Sequence, residues 1–473
     1  MWLPSQGAPA DFAGQYMALH RAFYDRSLTL QQLESWRRTQ LAAVLEQTSA
    51  HSPFYRRHLA AVDLAAITPD TLEQLPFTTK QHLREELFDV LSRPLHDSVF
   101  FYETTGTTGR ATPCPRDARE VIASNAHVTE SWGRIFAEHF GDRAPRVGLM
   151  GPTEVHSFGD TVGDVARNLG AMNAKIWPYS PVIGFPKALQ LMKDLDLEVL
   201  VCTPGVALTL AKAAIYYGYD LRADFGVKVL LVTGEMCTPA LAANLESLWG
   251  ADVYNMLYGS QEAFVIAVAC PAKQMHLSQT NYLIEVIDPE SGVSHGPHGA
   301  GELTVTMLID GVKPLVRYRT GDSVEIKPSD CGCGMPGDLV RIVGRTLDRI
   351  ELGGRLFTAG AIESAVLAGV TGSVGYQIVI DRTASGDDVL TVRLELIGDP
   401  AVRGPEIAAD CARRVSEILG VPADVELSED LGAIVGTGAF VSWKAARIVD
   451  RRAEPDSETL VAQRLAERRG YTN

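Results

Sequence analysis

Between about residues 118 and 250, short apolar runs alternate with stretches of helical pattern, and this alternation restricts the fold more than any other feature. The apolar runs occupy residues 147–150, 198–202 and 228–232. The helix-like segments occupy residues 186–195, 205–217 and 238–248. Strands that alternate with helices are typical of a largely parallel sheet. The sequence therefore predicts an α/β fold.

The segments on either side of this region have different patterns. Upstream, residues 29–61 predict an amphipathic helix that ends at Pro53, because apolar side chains recur there at helical spacing. These side chains are Leu30, Leu33, Trp36, Leu41 and Leu45. Downstream, residues 282–288 and 301–308 predict two antiparallel strands joined by a turn rich in glycine, proline and histidine.

After about residue 345 the pattern changes to that of a compact α+β unit. We predict strands at residues 374–380 and 389–396 and a helix at residues 404–419. The change in pattern predicts two domains, residues 1–346 and residues 347–473.

Composition narrows the class of protein. Of the 473 residues, 46% are hydrophobic and 21% are charged, which is typical of a soluble globular enzyme. The net charge of −15 disfavours nucleic acid and anionic membranes as partners. We find no apolar run of about 18 residues and no signal-peptide pattern, and seven scattered cysteines are not a disulfide framework. We therefore expect a cytoplasmic protein, and a homodimer is compatible with the sequence.

The stretch from Thr104 to Gly109 (Thr-Thr-Gly-Thr-Thr-Gly) is the first motif with a chemical meaning. Its glycines permit close approach of the backbone to an anion, and its hydroxyl and N–H groups can bind phosphate oxygens. Arg110 adds a positive charge. No Gly-Lys-Ser/Thr ends the stretch, so it is not a Walker loop. The alternative interpretation is a polar turn.

The second motif is Tyr258-Gly259-Ser260-Gln261-Glu262. A tyrosine ring here could cover a nucleobase, and Glu262 could hold Mg²⁺, a hard cation that prefers oxygen ligands. The alternative is a turn with a solvated glutamate.

Three further residues occupy positions from which they could bind a nucleotide or a developing negative charge. Asp322 follows a Thr-Gly turn and could accept both hydroxyl groups of a ribose, although a solvated acid at a strand end fits equally well. Arg345 lies where the composition changes, so it could be an arginine at a domain hinge that reaches a nucleotide. Lys444 follows a glycine-rich approach, and a lysine on a mobile loop can swing onto developing negative charge. A surface lysine is the alternative.

A candidate metal site involves Cys270, His276, Cys331 and Cys333. Three thiolates and one imidazole suit a closed tetrahedral Zn²⁺ site of structural type. The alternatives are four unrelated residues or a disulfide between distant cysteines.

The order of these motifs resembles that of the adenylate-forming superfamily of acyl-CoA synthetases, luciferases and peptide-synthetase adenylation domains. Within it, the chain looks most like the phenylacetate-CoA ligase family, and the resemblance covers nearly the whole chain. Residues 53–56 and 75–80 match that family's N-terminal region. The resemblance implies a large N-terminal domain of parallel and mixed sheets with helices and a β-barrel-like part. It also implies a small, mobile α+β C-terminal domain.

The resemblance implies a role for each motif. Tyr258 would stack on adenine, Glu262 would bind Mg²⁺ and Asp322 would bind the ribose. Arg345 would reach ribose or phosphate, and Lys444 would bridge the carboxylate and the α-phosphate. The remaining ATP or AMP contacts would be Thr104, Thr105, Gly106, Thr107, Thr108, Gly109, Arg110, Gly234, Glu235, Gly259, Ser260 and Gln261. The catalytic residues would be Lys444, Glu262 and Thr107. Some phenylacetate-CoA ligase-like proteins carry a zinc knuckle, and the four Cys and His residues look similar to it.

The implied reaction converts an aromatic carboxylic acid and ATP to acyl-AMP and pyrophosphate, after which coenzyme A takes the acyl group. The predicted acyl pocket comprises His156, Phe158, Gly234, Gly259, Ala263 and Phe264. An alternative acceptor is a carrier-protein thiol or a nitrogen nucleophile in secondary metabolism. A non-catalytic nucleotide-binding protein is a third hypothesis, and the presence of Glu262, Asp322 and Lys444 argues against it.

Overall fold

The computed structural model describes residues 8–104, 111–346, 348–398, 400–428 and 447–452. The predicted phosphate-loop residues Thr105, Gly106, Thr107, Thr108, Gly109 and Arg110 lie outside these ranges, as does Lys444. Among the described residues, no helix is long and apolar enough to cross a membrane.

The described part of the chain contains eleven α-helices. They are α1 Ala8–Tyr24, α2 Leu30–His51, α3 Pro53–His58, α4 Lys80–Glu86, α5 Ala118–Phe140, α6 Ser157–Asn168, α7 Gly184–Asp194, α8 Pro204–Tyr216, α9 Pro239–Trp249, α10 Ala359–Leu367 and α11 Pro400–Leu419. Four short 3-10 helices occupy Leu64–Ala66, Leu72–Gln74, Leu87–Val90 and Leu95–Asp97.

Twenty strands accompany these helices in the same described ranges. They are β1 Phe100–Glu103, β2 Pro113–Arg116, β3 Arg146–Met150, β4 Met172–Lys175, β5 Val199–Cys202, β6 Val229–Val232, β7 Asp252–Asn255, β8 Leu257–Ser260, β9 Phe264–Ala269, β10 Met275–Leu277, β11 Tyr282–Ile287, β12 Gly299–Met307, β13 Tyr318–Lys327, β14 Leu339–Arg345, β15 Arg349–Leu352, β16 Arg355–Thr358, β17 Ser373–Arg382, β18 Asp388–Leu396, β19 Ala423–Leu427 and β20 Ile448–Asp450.

Contacts between Cα atoms divide the chain into two compact units. The first unit comprises residues 1–144, 153–171 and 256–346, and the second comprises residues 145–152, 172–255 and 347–473. A division at 346/347 therefore coincides with one unit boundary, whereas residues 145–152 and 172–255 group with the C-terminal part. The predicted domains 1–346 and 347–473 stay a prediction.

The second unit contains a five-stranded parallel sheet in the order β4-β3-β5-β6-β7. Strands β3, β5 and β6 coincide with the three apolar runs, and α7, α8 and α9 with the helix-like segments, so the predicted parallel sheet is confirmed. Every residue of β5 and β6 is buried. Helices α8 and α9 each begin with a capping threonine followed by proline, which starts a helix directly after the preceding loop.

The same unit contains a four-stranded sheet in the order β19-β18-β17-β20. The predicted C-terminal strands and helix are confirmed as β17, β18 and α11. One continuous hydrophobic core joins side chains of α8 and α9 with those of α10 and β17. This core therefore connects the parallel sheet's helices to the C-terminal sheet.

The first unit is built on a seven-stranded antiparallel sheet in the order β11-β12-β13-β14-β10-β9-β8. The predicted antiparallel strands are confirmed as β11 and β12. The predicted N-terminal helix is confirmed as α2, which ends before Pro53, and Pro53 itself begins α3. Leu30 is 79% exposed and does not belong to the buried stripe. The chain is thus a mixed α/β protein with several sheets.

Buried Asn244 ties α9 to β17, and its replacement tests this packing. Its amide donates to Ser373 O (2.7 Å) and accepts from Ser373 N (2.9 Å). Asn244→Ala leaves two buried backbone groups without partners, at about 1–3 kcal/mol each. We expect the apparent melting temperature, followed by circular dichroism, to fall by about 5 °C or more. Asn168→Ala, which removes a half-buried bond to Thr129, is the control, and equal shifts in both variants would contradict the prediction.

Candidate functional site

The hairpin β1–β2 flanks the predicted phosphate loop. Its strands pair from Phe100 with Arg116 to Glu103 with Pro113. Beyond this pair, Thr104 N donates to Thr112 O (3.1 Å), and Thr112 N donates to Thr104 Oγ1 (2.9 Å). Thr104 is thus the predicted loop residue that the structure describes, and it closes the base of the loop.

The turn between β8 and β9 carries the second predicted motif. A Cβ atom on Gly259 would overlap the Phe264 carbonyl oxygen, so only glycine fits this approach of two strands. Phe264 itself has a φ of 66°, in the left-handed region. Ser260 Oγ accepts from Ala263 N (3.1 Å) and closes the turn. The close approach of β8 and β9 therefore requires glycine at position 259. The turn that follows places Tyr258 and Glu262 at one end of the sheet.

Arg116, at the end of β2, positions this turn. Its side chain is fully buried, and Nη2 donates to the carbonyl oxygens of Gln261 (2.6 Å) and Glu262 (2.7 Å). Nη1 forms an ion pair with Glu120 (2.8 Å), and the guanidinium lies 4.6 Å from the centre of the Phe264 ring. Sequence reasoning missed Arg116. The available signal was a lone arginine between an apolar strand and an Asp-capped helix.

Tyr258, Asp322 and Arg345 form a second group. Tyr258 donates its hydroxyl to Asp322 Oδ2 (2.6 Å), and Arg345 Nε lies 3.2 Å from Asp322 Oδ1. Burial raises the pKa of the Asp322 carboxyl, while Arg345 and the Tyr258 hydroxyl oppose that rise. Burial and the charge of Asp322 raise the pKa of Tyr258 well above its usual value. Each oxygen of a carboxylate can accept more than one hydrogen bond, so Asp322 can still accept hydrogen bonds from the hydroxyl groups of a ligand.

Lys80 contributes a cation that sequence reasoning did not assign to the site. Its Nζ lies 3.8 Å from Glu262 Oε1, and Glu262 is buried. Burial opposes ionisation of Glu262, but the charges of Lys80 and Lys313 outweigh it and lower the pKa of the carboxyl. Main-chain bonds of Thr78 to β13 fix the segment before Lys80. The available sequence signal was the position of Lys80 at the end of residues 75–80, which resemble the N-terminal region of the phenylacetate-CoA ligase family.

One cleft of the first unit is therefore lined by Lys80, Tyr258, Glu262, Asp322 and Arg345. It presents two cations and two carboxylates beside an aromatic ring. Carboxylates can hold a divalent cation, and cations can hold phosphate, so this arrangement suits a metal-bound polyanion with a flat ring.

The predicted acyl-pocket residues of the first unit lie near the start of α6 and along β9. His156 caps α6, since its Nδ1 accepts from Phe158 N (3.1 Å). Burial lowers the pKa of His156 to about 4, so its imidazole is neutral at pH 7. Phe158 and Phe264 are each 8% exposed, and Ala263 is fully buried.

Gly234 and Glu235 belong to the second unit. Gly234 has a φ of 83°, which favours glycine at this turn after β6. The Glu235 side chain is only 2% exposed, and its Oε2 accepts from Gly205 N (3.1 Å). The carboxylate therefore points into the protein, and the main chain is what this residue offers to a ligand.

The four predicted zinc ligands come together in the first unit. Cys270 follows β9, His276 lies on β10, and Cys331 and Cys333 lie between β13 and β14. Their ligand atoms all lie within 4.8 Å of one another. The three cysteines among them are free of disulfides, as are the other described cysteines.

The distances among these donors fit Zn²⁺. A tetrahedral ion with Zn–S bonds of about 2.3 Å separates two sulfur atoms by about 3.8 Å. The Sγ atoms of Cys270 and Cys331 are 3.8 Å apart, and Cys333 Sγ lies 3.4 Å from His276 Nε2. His276 Nδ1 faces the carbonyl oxygens of Pro336 (3.0 Å) and Gly337 (3.1 Å). That contact leaves Nε2 for a metal, the usual arrangement of a histidine ligand.

Comparison with known proteins agrees with the motifs. The phenylacetate-coenzyme A ligase of Aromatoleum evansii is 25% identical over 421 residues, covering 85% of this chain and 90% of that protein. The predicted resemblance to this family is confirmed. The enzyme of the same name from Thermus thermophilus is 25% identical over 432 residues (85% and 93% coverage). That from Escherichia coli is 24% identical over 447 residues (90% and 96%). No family model matches the chain.

Solved structures show the same fold. A 2-hydroxyisobutyryl-CoA ligase in the postadenylation state with 2-HIB-AMP superimposes with a TM-score of 0.73 at 23% identity, covering 92% of each chain. Its complex with R3-HIB-AMP gives a TM-score of 0.74 at 22% identity, also covering 92% of each chain. The chain therefore has the fold of adenylate-forming ligases.

The metal site yields a direct prediction. Protein purified without chelator should contain about one Zn²⁺ per chain by plasma mass spectrometry, because the four donors match a closed tetrahedral site. Cys331→Ser and Cys333→Ser should each lower that content, whereas Cys411→Ala, which alters a buried cysteine of α11, should not. Metal-free wild-type protein with an unchanged melting temperature in chelator would refute the site.

Proposed function

We propose that this protein is an AMP-forming acid–CoA ligase that activates an aromatic carboxylic acid. The observation that carries the proposal is the cleft of Lys80, Tyr258, Glu262, Asp322 and Arg345. Four of these five residues were predicted as nucleotide-site residues from the resemblance of the motif order to the adenylate-forming superfamily. The curated relatives, which match over 85% or more of this chain, are named phenylacetate-coenzyme A ligases.

Four of the five side chains that define the cleft have a role in this proposal. The Tyr258 ring stacks on adenine, Asp322 accepts the ribose hydroxyls, and Arg345 donates to ribose or phosphate. Gly259, Ser260, Gln261, Gly234 and Glu235 supply main-chain contacts to the nucleotide. Glu262 holds Mg²⁺, which would neutralise phosphate charge. The β- and γ-phosphates are bound by the predicted phosphate loop, from Thr104 and Thr105 to Gly109, and by Arg110.

The chemistry has two half-reactions. The acid's carboxylate oxygen attacks the α-phosphorus of ATP, and pyrophosphate leaves with the electrons of the broken P–O bond. Lys444 brings the two anions together and stabilises the charge that builds up at phosphorus. The thiol of coenzyme A then loses its proton and attacks the acyl carbonyl carbon, and AMP leaves.

The acyl group lies among His156, Phe158, Gly234, Gly259, Ala263 and Phe264 in this proposal. Because Nδ1 accepts from Phe158 N, a neutral His156 can donate one hydrogen bond from Nε2, which suits a hydroxyl oxygen on the ring of the acid. The proposal includes a structural zinc at Cys270, His276, Cys331 and Cys333. It also includes a β-barrel-like part in the N-terminal domain and the mobility of the C-terminal domain, residues 347–473. A homodimer, a cytoplasmic location, a carrier-protein thiol acceptor and a nitrogen acceptor stay predictions.

Pyrophosphate exchange is the first test of the reaction. Wild-type protein with Mg²⁺ and ATP should exchange labelled pyrophosphate when given an aromatic acid from a panel of benzoic, aminobenzoic, hydroxybenzoic and phenylacetic acids. Added coenzyme A should then yield a thioester detectable by mass. Background exchange with every acid would refute the ligase, and exchange without thioester would point to another acceptor.

Lys80→Met tests the charge balance of the cleft. Because Lys80 is paired with Glu262, its loss should strengthen Mn²⁺ binding to the nucleotide-free protein, measured by electron paramagnetic resonance. The same change should raise the KM for the metal–ATP complex about tenfold, since the cleft loses a cation that can pair with phosphate. Lys327→Met, which alters an exposed lysine paired with Asp330, is the control. Weaker binding of both Mn²⁺ and ATP would contradict the prediction, because it would show that the substitution disrupts the cleft as a whole.

A further inference from the structure

Arg317, a buried residue directly before β13, has no role in the proposed reaction. Its guanidinium forms an ion pair with the buried carboxylate of Glu285 on β11, and Nη2 lies 3.1 Å from Oε1. Nη1 donates to the carbonyl oxygens of Glu73 (3.0 Å) and Leu75 (2.7 Å). The Cζ atom lies 4.1 Å from the centre of the Phe77 ring. One side chain therefore connects β11 to the segment that precedes α4.

The main chain joins the same two parts of the first unit. Thr78 N donates to Arg317 O (3.0 Å), and Arg319 N donates to Thr78 O (2.9 Å). Thr78 Oγ1 also donates to Val316 O (2.7 Å). These bonds attach Thr78 to the start of β13, the strand that carries Asp322. The contacts of the Arg317 side chain therefore strengthen a pairing that the backbone begins.

The backbone of Arg317 is strained. Its φ of 46° lies in the left-handed region, which residues other than glycine rarely adopt. Such a conformation persists only where the surrounding structure over-determines it. Here Arg317 N donates to Thr306 Oγ1 (3.0 Å), and the ion pair with Glu285 holds the side chain. The position of Arg317 is therefore fixed by contacts on both its main chain and its side chain.

Lys80 follows this attachment directly. It is the first residue of α4, and Thr79 caps that helix. Thr79 Oγ1 accepts from His82 N (3.3 Å), and Thr79 N donates to His82 Nδ1 (3.3 Å). The backbone at Lys80 is therefore fixed from both directions, by the pairing of Thr78 before it and by the capped helix after it.

The placement of this backbone decides what the lysine side chain can reach. Lys80 Nζ lies 3.8 Å from Glu262 Oε1 in the candidate cleft. We infer that Arg317 is a positioning residue, which holds the segment 73–78 on β13 and so places Lys80 beside Glu262. This role rests on the proposed function, in which Glu262 holds Mg²⁺ and a cation of the cleft pairs with phosphate. Arg317 acts through Lys80 and touches neither the metal nor the nucleotide.

The test compares the loss of Arg317 with the loss of Lys80. Arg317→Met should strengthen Mn²⁺ binding to the nucleotide-free protein, measured by electron paramagnetic resonance, because Lys80 no longer stays beside Glu262. In pyrophosphate exchange, the KM for the metal–ATP complex should rise between about threefold and tenfold, with little change in kcat. Adding Lys80→Met to Arg317→Met should have little further effect, because residues that act through one contact are not additive.

A second variant separates positioning from folding. Arg317→Met alone leaves the Glu285 carboxylate buried without its cation, which destabilises the protein. Arg317→Met combined with Glu285→Leu removes both charges, and apolar replacement of a buried ion pair is often neutral for stability. This double variant should melt near the wild-type temperature and still show the tighter Mn²⁺ binding and the higher KM.

The matched control is Arg341→Met. Arg341 also pairs with a glutamate of the same sheet, since its Nε donates to Glu325 (3.1 Å) across β13 and β14, but both side chains are exposed. Arg341→Met should change neither Mn²⁺ binding nor the KM.

The possible outcomes lead to different conclusions. Wild-type Mn²⁺ affinity and KM in the folded Arg317→Met/Glu285→Leu protein would overturn the inference. Weaker Mn²⁺ binding and a lower melting temperature in both variants would also overturn it, because Arg317 would then only stabilise the fold. Wild-type protein with background exchange for every acid would instead refute the proposed function. The Mn²⁺ comparison needs no acid, so it would still test the placement of Lys80.

Discussion

The candidate site depends first on the buried guanidinium of Arg116. A buried cation costs several kcal/mol unless every charge and most hydrogen-bond positions are paired. Glu120 and the carbonyl oxygens of Gln261 and Glu262 supply those partners, and the Phe264 ring covers one face. Because β2 follows the predicted phosphate loop, one side chain connects the end of that loop to the turn that carries Glu262. Strand β2 and the turn between β8 and β9 therefore cannot move apart without unpairing a buried charge.

Glu120 extends this constraint to a third segment. Its Oε2 accepts from Asp117 N (3.0 Å) and from Val312 N (3.1 Å), and a Cβ atom on Gly311 would overlap its carboxylate. In the same segment, buried Lys313 donates to Pro113 O (2.8 Å) and to Cys114 Sγ (3.2 Å). The charge of Lys313 reaches Glu262 and helps to keep that carboxyl ionised. The electrostatics of the cleft thus originate partly in side chains behind it.

The sequence predicted the elements that have a local signal. Strands β5 and β6 are continuous apolar runs. The resemblance in motif order predicted a shared site for Tyr258, Glu262, Asp322 and Arg345, and the structure places all four in one cleft. The seven-stranded sheet was only partly predictable, because β14 pairs with β10 across a long stretch of sequence and its register depends on tertiary packing. Arg116 and Lys80 were missed for a related reason. A single basic residue has no periodicity, and what gives each its role is a carboxylate or carbonyl far away along the chain.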